Sequence, residues 1–291
     1  MPLYRLHEPE EPLVAPAIVA AFDGWVDAGG ASTAAAEQIA GDAAPIATFG
    51  ADLLYDYRSR RPVLDVVDGT LTELTWPNLS MKRVRVGARD VLVLTGPEPD
   101  FRWRELGGDV LDLALRLGVV EWVSLGAIPA AVPHTRPVPI LATASRAGLL
   151  HEDEQQGPQG LLRVPAAALS VMEHAVAGGG IPAVGFFAQV PHYVGGTYPA
   201  AAIAILEHTG RHLGLDLRLD ALPDEAMAHR RRLDAAVAAD EDSRTYVARL
   251  ETVVDNEELP TGDELVGEIE RFLQQREGGA GGSTPSPGPL A

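Results

Sequence analysis

The segment from Ala17 to Thr33, AIVAAFDGWVDAGGAST, constrains the fold of this 291-residue chain more than any other. Six apolar residues without a charge, Ala17 to Phe22, read as a strand buried on both faces, which belongs in a sheet covered by helices. The strand runs into an acidic, Gly-rich turn carrying Asp23, Gly24, Trp25, Asp27, Gly29 and Gly30, and then into a helix start. Such strand ends are where open α/β sheets place their ligands.

The rest of the first two-thirds repeats this grammar. Short runs rich in Val, Ile and Leu predict further strands at Val63–Val67, Leu71–Trp76, Arg83–Val86, Asp90–Leu94, Glu121–Leu125, Ile140–Thr143 and Ala183–Phe187. Helical patterns cover Ala31–Ala40, Trp103–Leu117, Pro165–Ala177 and Ala200–Leu213, with Pro165 placed as a first-turn residue. Alternation of this kind predicts an α/β sheet with helices on its faces. After Leu222 only helical periodicity remains, in stripes such as Val247, Leu250 and Val254. The chain therefore divides into a core at 1–222, a helical appendage at 223–277 and a Gly/Pro/Ser tail at 278–291 too polar to order itself.

Composition removes several functions. A net charge of −18 opposes contact with nucleic-acid phosphates. The absence of Cys excludes disulfides, thiolate metal sites and Cys nucleophiles. Lys82 is the one lysine, so there is no phosphate-binding loop of the GxxxxGK[ST] type, and a triphosphate-gripping ligase is disfavoured. Acidic residues and prolines occupy the N-terminus where a signal peptide needs a basic start, and no run approaches the roughly 18 apolar residues of a membrane span. The expectation is a cytoplasmic protein without membrane contact.

The first turn supports three readings. Its glycines and helix N-terminus suit an anion, but Asp23 and Asp27 would repel one. Two carboxylates suit acid/base or metal chemistry, yet no His lies nearby in sequence. Alternatively Asp27 or Ser32 caps the helix and Trp25 packs. His134, in VPHTRPVP, and His192, in QVPHYVGG, follow strands whose ends converge on the same sheet edge, within reach of that turn; the plainer reading is loop histidines with polar neighbours. His208 and His212 stand four apart on a helix, but without the Glu of a zinc-protease motif they read as surface residues. WVSLG lacks the leading Gly of a nucleophile elbow. No catalytic set is complete, and no cofactor or metal is assigned.

The GWVDAGGAST turn, PNLSMKRVRVG, LGAIPAAVPHTRP, GPQGLL and FFAQVPHYVGGTYPAAAIAIL together resemble the bacterial branch of the proteasome assembly chaperone 2 family, over roughly Pro12 to Leu222. The resemblance implies a three-layer α/β/α sandwich of the phosphorylase/hydrolase-like kind without its catalytic apparatus. It implies self-association, in some members as homotrimers, with proteasome subunits as partners of the eukaryotic and archaeal relatives. The binding candidates are then Asp23, Gly24, Trp25, Asp27, Gly29, Gly30, His134, Gln189, His192 and Tyr193. Archaeal members dock through a terminal hydrophobic-Tyr-any tripeptide, whereas this sequence ends Pro289-Leu290-Ala291, so tail docking is not expected. The function implied is a non-enzymatic assembly chaperone or scaffold. The alternative is a small-molecule binder or nucleoside phosphorylase/hydrolase-like enzyme using the first turn.

Overall fold

A computed structural model describes residues 2–256 except 153, 155, 156, 158 and 159. The tail, the appendage beyond 256 and the middle of the GPQG loop lie outside the described residues.

Ten strands and seven α-helices follow in order along these residues: β1 Tyr4–Leu6, β2 Ala17–Asp23, α1 Ala31–Ala40, β3 Pro45–Phe49, α2 Ala51–Leu54, β4 Val63–Val67, β5 Thr70–Thr75, β6 Ser80–Val86, β7 Arg89–Pro97, α3 Trp103–Arg116, β8 Glu121–Ala130, β9 Ile140–Ala144, α4 Ala168–Gly178, β10 Ala183–Pro191, α5 Pro199–Leu213, α6 Leu222–Ala239 and α7 Glu241–Asp255. Eight strands form one sheet in the order β1-β3-β6-β7-β2-β8-β10-β9. The central four, β7, β2, β8 and β10, run parallel, and antiparallel strands flank them on both sides. This arrangement brings the carboxyl ends of β2, β7, β8 and β10 to one edge.

The alternation of side chains along β2 explains the layers. Ile18, Ala20 and Phe22 join a core formed with α3 and α4, while Ala17, Val19 and Ala21 join a second core formed with α1 and α5. A strand buried on both faces can only be apolar throughout, as its sequence is. Trp122, Leu92 and Leu106 fill the first core; Leu125, Phe186 and Ile205 fill the second. The result is a three-layer α/β/α sandwich. Leu222 and Leu233 of α6 pack onto the second core, and Val247 and Leu250 of α7 are buried as well. Among the described residues no helix is long and apolar enough to cross a membrane.

Some expectations need correction. The strands at 63–67 and 70–75 exist but stand outside the main sheet as a separate two-stranded hairpin, every residue of which is exposed. Helix α4 begins at Ala168 and not at Pro165, because the Glu98 carboxylate accepts the Ala168 N–H at 2.8 Å and caps the helix there. Strands β1 and β3 were not legible: each is short, and β3 opens on a proline.

Candidate functional site

Asp27 is a cap. Its Oδ1 accepts the Ser32 N–H at 2.8 Å, the Ser32 hydroxyl at 2.6 Å and the Thr33 N–H at 3.2 Å, while Oδ2 accepts the Thr33 hydroxyl at 2.5 Å. A carboxylate so engaged at a helix N-terminus is held there by the unsatisfied backbone donors of the first turn. Asp23 is engaged differently: its Oδ1 receives Arg60 Nη1 at 2.8 Å and the Glu98 N–H at 3.0 Å. The two aspartates thus serve separate structures and do not form a carboxylate pair.

The glycines serve backbone geometry. Gly29 has φ +65°, and a Cβ there would lie 2.8 Å from Tyr198 Cβ, while the Gly29 carbonyl accepts the Tyr198 N–H at 2.9 Å. The turn after β2 is thereby clamped to the VGGTYP loop after β10, the convergence of strand ends expected of this topology. Gly24, at φ +114°, sits against Glu98, and Gly30, at φ +58°, precedes α1 in the left-handed region.

His134, His192 and Tyr193 form one cluster, but it faces the C-terminal helices. The Tyr193 hydroxyl lies 2.7 Å from His134 Nδ1 and accepts the His134 N–H at 2.8 Å, while His134 Nε2 lies 3.2 Å from Asp234 of α6. Arg230 of α6 donates to the His134 carbonyl at 2.8 Å. On α7, Tyr246 meets His192 Nε2 at 3.0 Å, and Asp255 accepts both Nε and Nη2 of Arg136 at 2.7 Å. Burial and the Arg230 charge lower the His134 pKa, against the pull of Asp234. These side chains dock the chain's own helices. Gln189 is buried on β10, its N–H bonded to the Pro139 carbonyl.

Trp25 leads elsewhere. With Val26 it walls a 420 Å³ cavity between the sheet, α4 and the loop before α4, lined further by Ile128, Leu162, Val164 and Phe187. That volume suits a small ligand. The Phe187 ring lies flat on the sheet because Gly126 and Gly185 leave room: a Cβ at Gly126 would stand 2.3 Å from the ring. Thr143, Ser145, Ser170, His174 and Glu173 add polar groups to the cavity wall, and of these Glu173, on α4, is the carboxylate. Its carboxylate accepts the Ser124 hydroxyl at 2.6 Å, and Ser124 in turn accepts Trp122 Nε1 at 2.7 Å. Sequence reasoning missed Glu173; the available signal was the one carboxylate in a mostly apolar helix, ALSVMEHAVAG.

Burial raises the Glu173 pKa, against the opposing hydrogen bond from Ser124. The contribution of such a group to stability is full below the ordinary carboxyl range and is lost as pH rises through the folded value. Glu173→Gln is therefore expected to be more stable than the parent at pH 7, with the advantage vanishing in acid. Urea titrations at pH 7 and pH 4 check this; an equal difference at both pH values contradicts it.

The sequence profile of the PAC2 family matches residues 21–237. A Mycobacterium tuberculosis protein of unknown function is 36% identical with a TM-score of 0.83, covering 94% of this chain and 96% of its own. A Mycobacterium tuberculosis proteasome-assembly chaperone homologue is 37% identical with a TM-score of 0.73, covering 79% of this chain and 99% of its own. PbaB of Pyrococcus furiosus, an archaeal proteasome activator, shares the fold at 14% identity and a TM-score of 0.62, over 80% of this chain and 97% of its own. No curated protein matches the chain. A profile match over most of the sequence, together with relatives above 30% identity that share the fold, makes this chain a member of the PAC2 family.

Proposed function

We propose that the chain is a self-associating, cytoplasmic assembly chaperone or scaffold that holds protein partners, proteasome subunits among them, without catalysing a reaction. The observation that carries this reading is the β4–β5 hairpin. Val63, Leu64, Val66, Val67, Leu71, Leu74 and Trp76 are 47–68% exposed on it, a concentration of apolar surface typical of interaction sites. A lone two-stranded hairpin is marginal in water, so one held out this way gains its stability from something that covers it. Trp76 against Tyr57, with ring centroids 4.8 Å apart, ties its base to the core. Occupation of Asp23 and Asp27 by structural partners supports a non-catalytic role, and homotrimerisation is the form of self-association proposed. The related proteasome-assembly chaperone homologue supports the choice of partner.

Immobilised full-length protein is expected to retain purified proteasome α-subunits, and a variant with a charged hairpin is expected not to. Failure of the parent to retain them, with self-association intact, removes the proteasome reading alone. The cavity beside Trp25 favours a second reading, a binder of a small apolar molecule with one hydrogen-bonding group for Glu173. Nucleosides and apolar acids screened by thermal shift test it, since a ligand at 100 times its Kd adds about 2.7 kcal/mol.

A further inference from the structure

At the edge of the sheet opposite the first turn, His212 is not the surface residue that its helical spacing suggests. Its side chain is 8% exposed and packs edge-on to Phe186, with ring centroids 5.5 Å apart. Its Nε2 faces the Glu121 carboxylate at 3.5 Å, and its Nδ1 points at Oε1 of Glu154, 4.0 Å away. Glu154, whose side chain is 1% exposed, is reached through the long connection between β9 and α4. Its Oε2 is held by the His151 N–H at 2.8 Å, which leaves Oε1 turned inward. Both Glu154 Oε1 and His212 Nδ1 are buried without a hydrogen-bond partner. With the Nε2 hydrogen toward Glu121, a lone pair and a carboxylate oxygen confront each other in a space too wide for a hydrogen bond. Two buried acceptors facing one another are costly, and a cation between them would relieve both.

We propose that His151, Glu154 and His212 bind a divalent transition cation of the zinc type. Donor atoms of the three already lie within 4.8 Å of one another, and bonds of about 2.0–2.1 Å require them to close to roughly 3.3 Å. Two imidazoles and one carboxylate favour zinc-like ions over calcium or magnesium and leave a fourth position for water. Glu121 holds the second nitrogen of His212, the outer carboxylate that orients many metal-bound histidines. The consequence is mechanical. The connection that carries His151 and Glu154 also supplies Gly157, Leu162 and Val164 to the cavity wall, so the ion fastens that wall to α5.

Full-length protein stripped with EDTA is expected to take up one Zn²⁺ per chain in equilibrium dialysis read by elemental analysis. Co²⁺ in its place is expected to develop visible absorption from an imidazole–carboxylate site. Glu154→Gln and His212→Ala each weaken uptake by at least about tenfold, whereas His208→Ala, one turn away, leaves it unchanged. Should His212→Ala fail to fold, Glu154→Gln and the Co²⁺ spectrum of the parent decide. Uptake indifferent to Glu154→Gln overturns the proposal. So does the absence of stoichiometric uptake, which assigns His212 to a doubly protonated bridge between Glu121 and Glu154.

Discussion

Asp90→Ala is expected to lose about 3–5 kcal/mol of folding stability, a large part of the total for a domain of this kind. Asp90 has a fully buried side chain near the start of central strand β7, with Arg83 Nε at 2.9 Å, Arg85 Nη1 at 2.8 Å and the Val14 N–H at 2.6 Å. Burial alone would disfavour its charge, but the hydrogen bonds from Arg83 and Val14 and the two guanidinium charges hold its carboxyl below the usual range. Removing it leaves Arg83 Nε and the Val14 N–H without their acceptor beside the core. Asp90→Asn isolates the charge. An acid whose folded pKa lies below its unfolded value adds stability above that value and loses it as pH falls toward the folded one. The deficit of Asp90→Asn against the parent is therefore expected at pH 7 and shrinks below about pH 4, near the ordinary Asp value. Chemical denaturation across this range checks both; a deficit that does not change with pH contradicts the assignment.

How much of this could be read beforehand depends on whether the determining contacts are local. Strand β2 and the run DVLVLTG of β7 were legible because strands buried on both faces leave no choice of residue. The Asp27 cap was one of the open readings of the first turn, since its partners Ser32 and Thr33 are neighbours in sequence. His134 was visible as a polar group at a strand end, but its partners Asp234 and Arg230 lie about a hundred residues on, and local pattern says nothing at that distance. His212 was misread for the same reason: helical spacing says which face it occupies, not that Glu121 and Glu154 cover that face. The hairpin was legible as two strands. Its place outside the sheet, with every strand residue exposed and no cover for it among the described residues, is something strand-forming residues alone do not reveal.

That absence motivates the second large effect. Val66 and Leu71 are direct cross-strand partners next to the irregularity in the hairpin, 54% and 68% exposed. Changing both to Asp puts like charges opposite each other at the proposed dry contact, and leaves the core untouched. Apolar anchors at the centre of an interface each contribute about 2 kcal/mol or more, so the pair is expected to weaken association by two orders of magnitude or more. The folded monomer should change by no more than about 0.5 kcal/mol, the usual range for exposed positions. A double variant that unfolds is excluded by circular dichroism before its mass is read, and Leu71→Asp alone then carries the comparison.

Light scattering after size exclusion reads self-association through the hairpin without a partner protein. The parent is expected to elute as an oligomer, with the mass of three chains if the trimer holds, and Val66→Asp/Leu71→Asp at the mass of a single 30.8-kDa chain. A parent that is already monomeric at micromolar concentration, or a double variant with unchanged oligomeric mass, contradicts self-association through the hairpin.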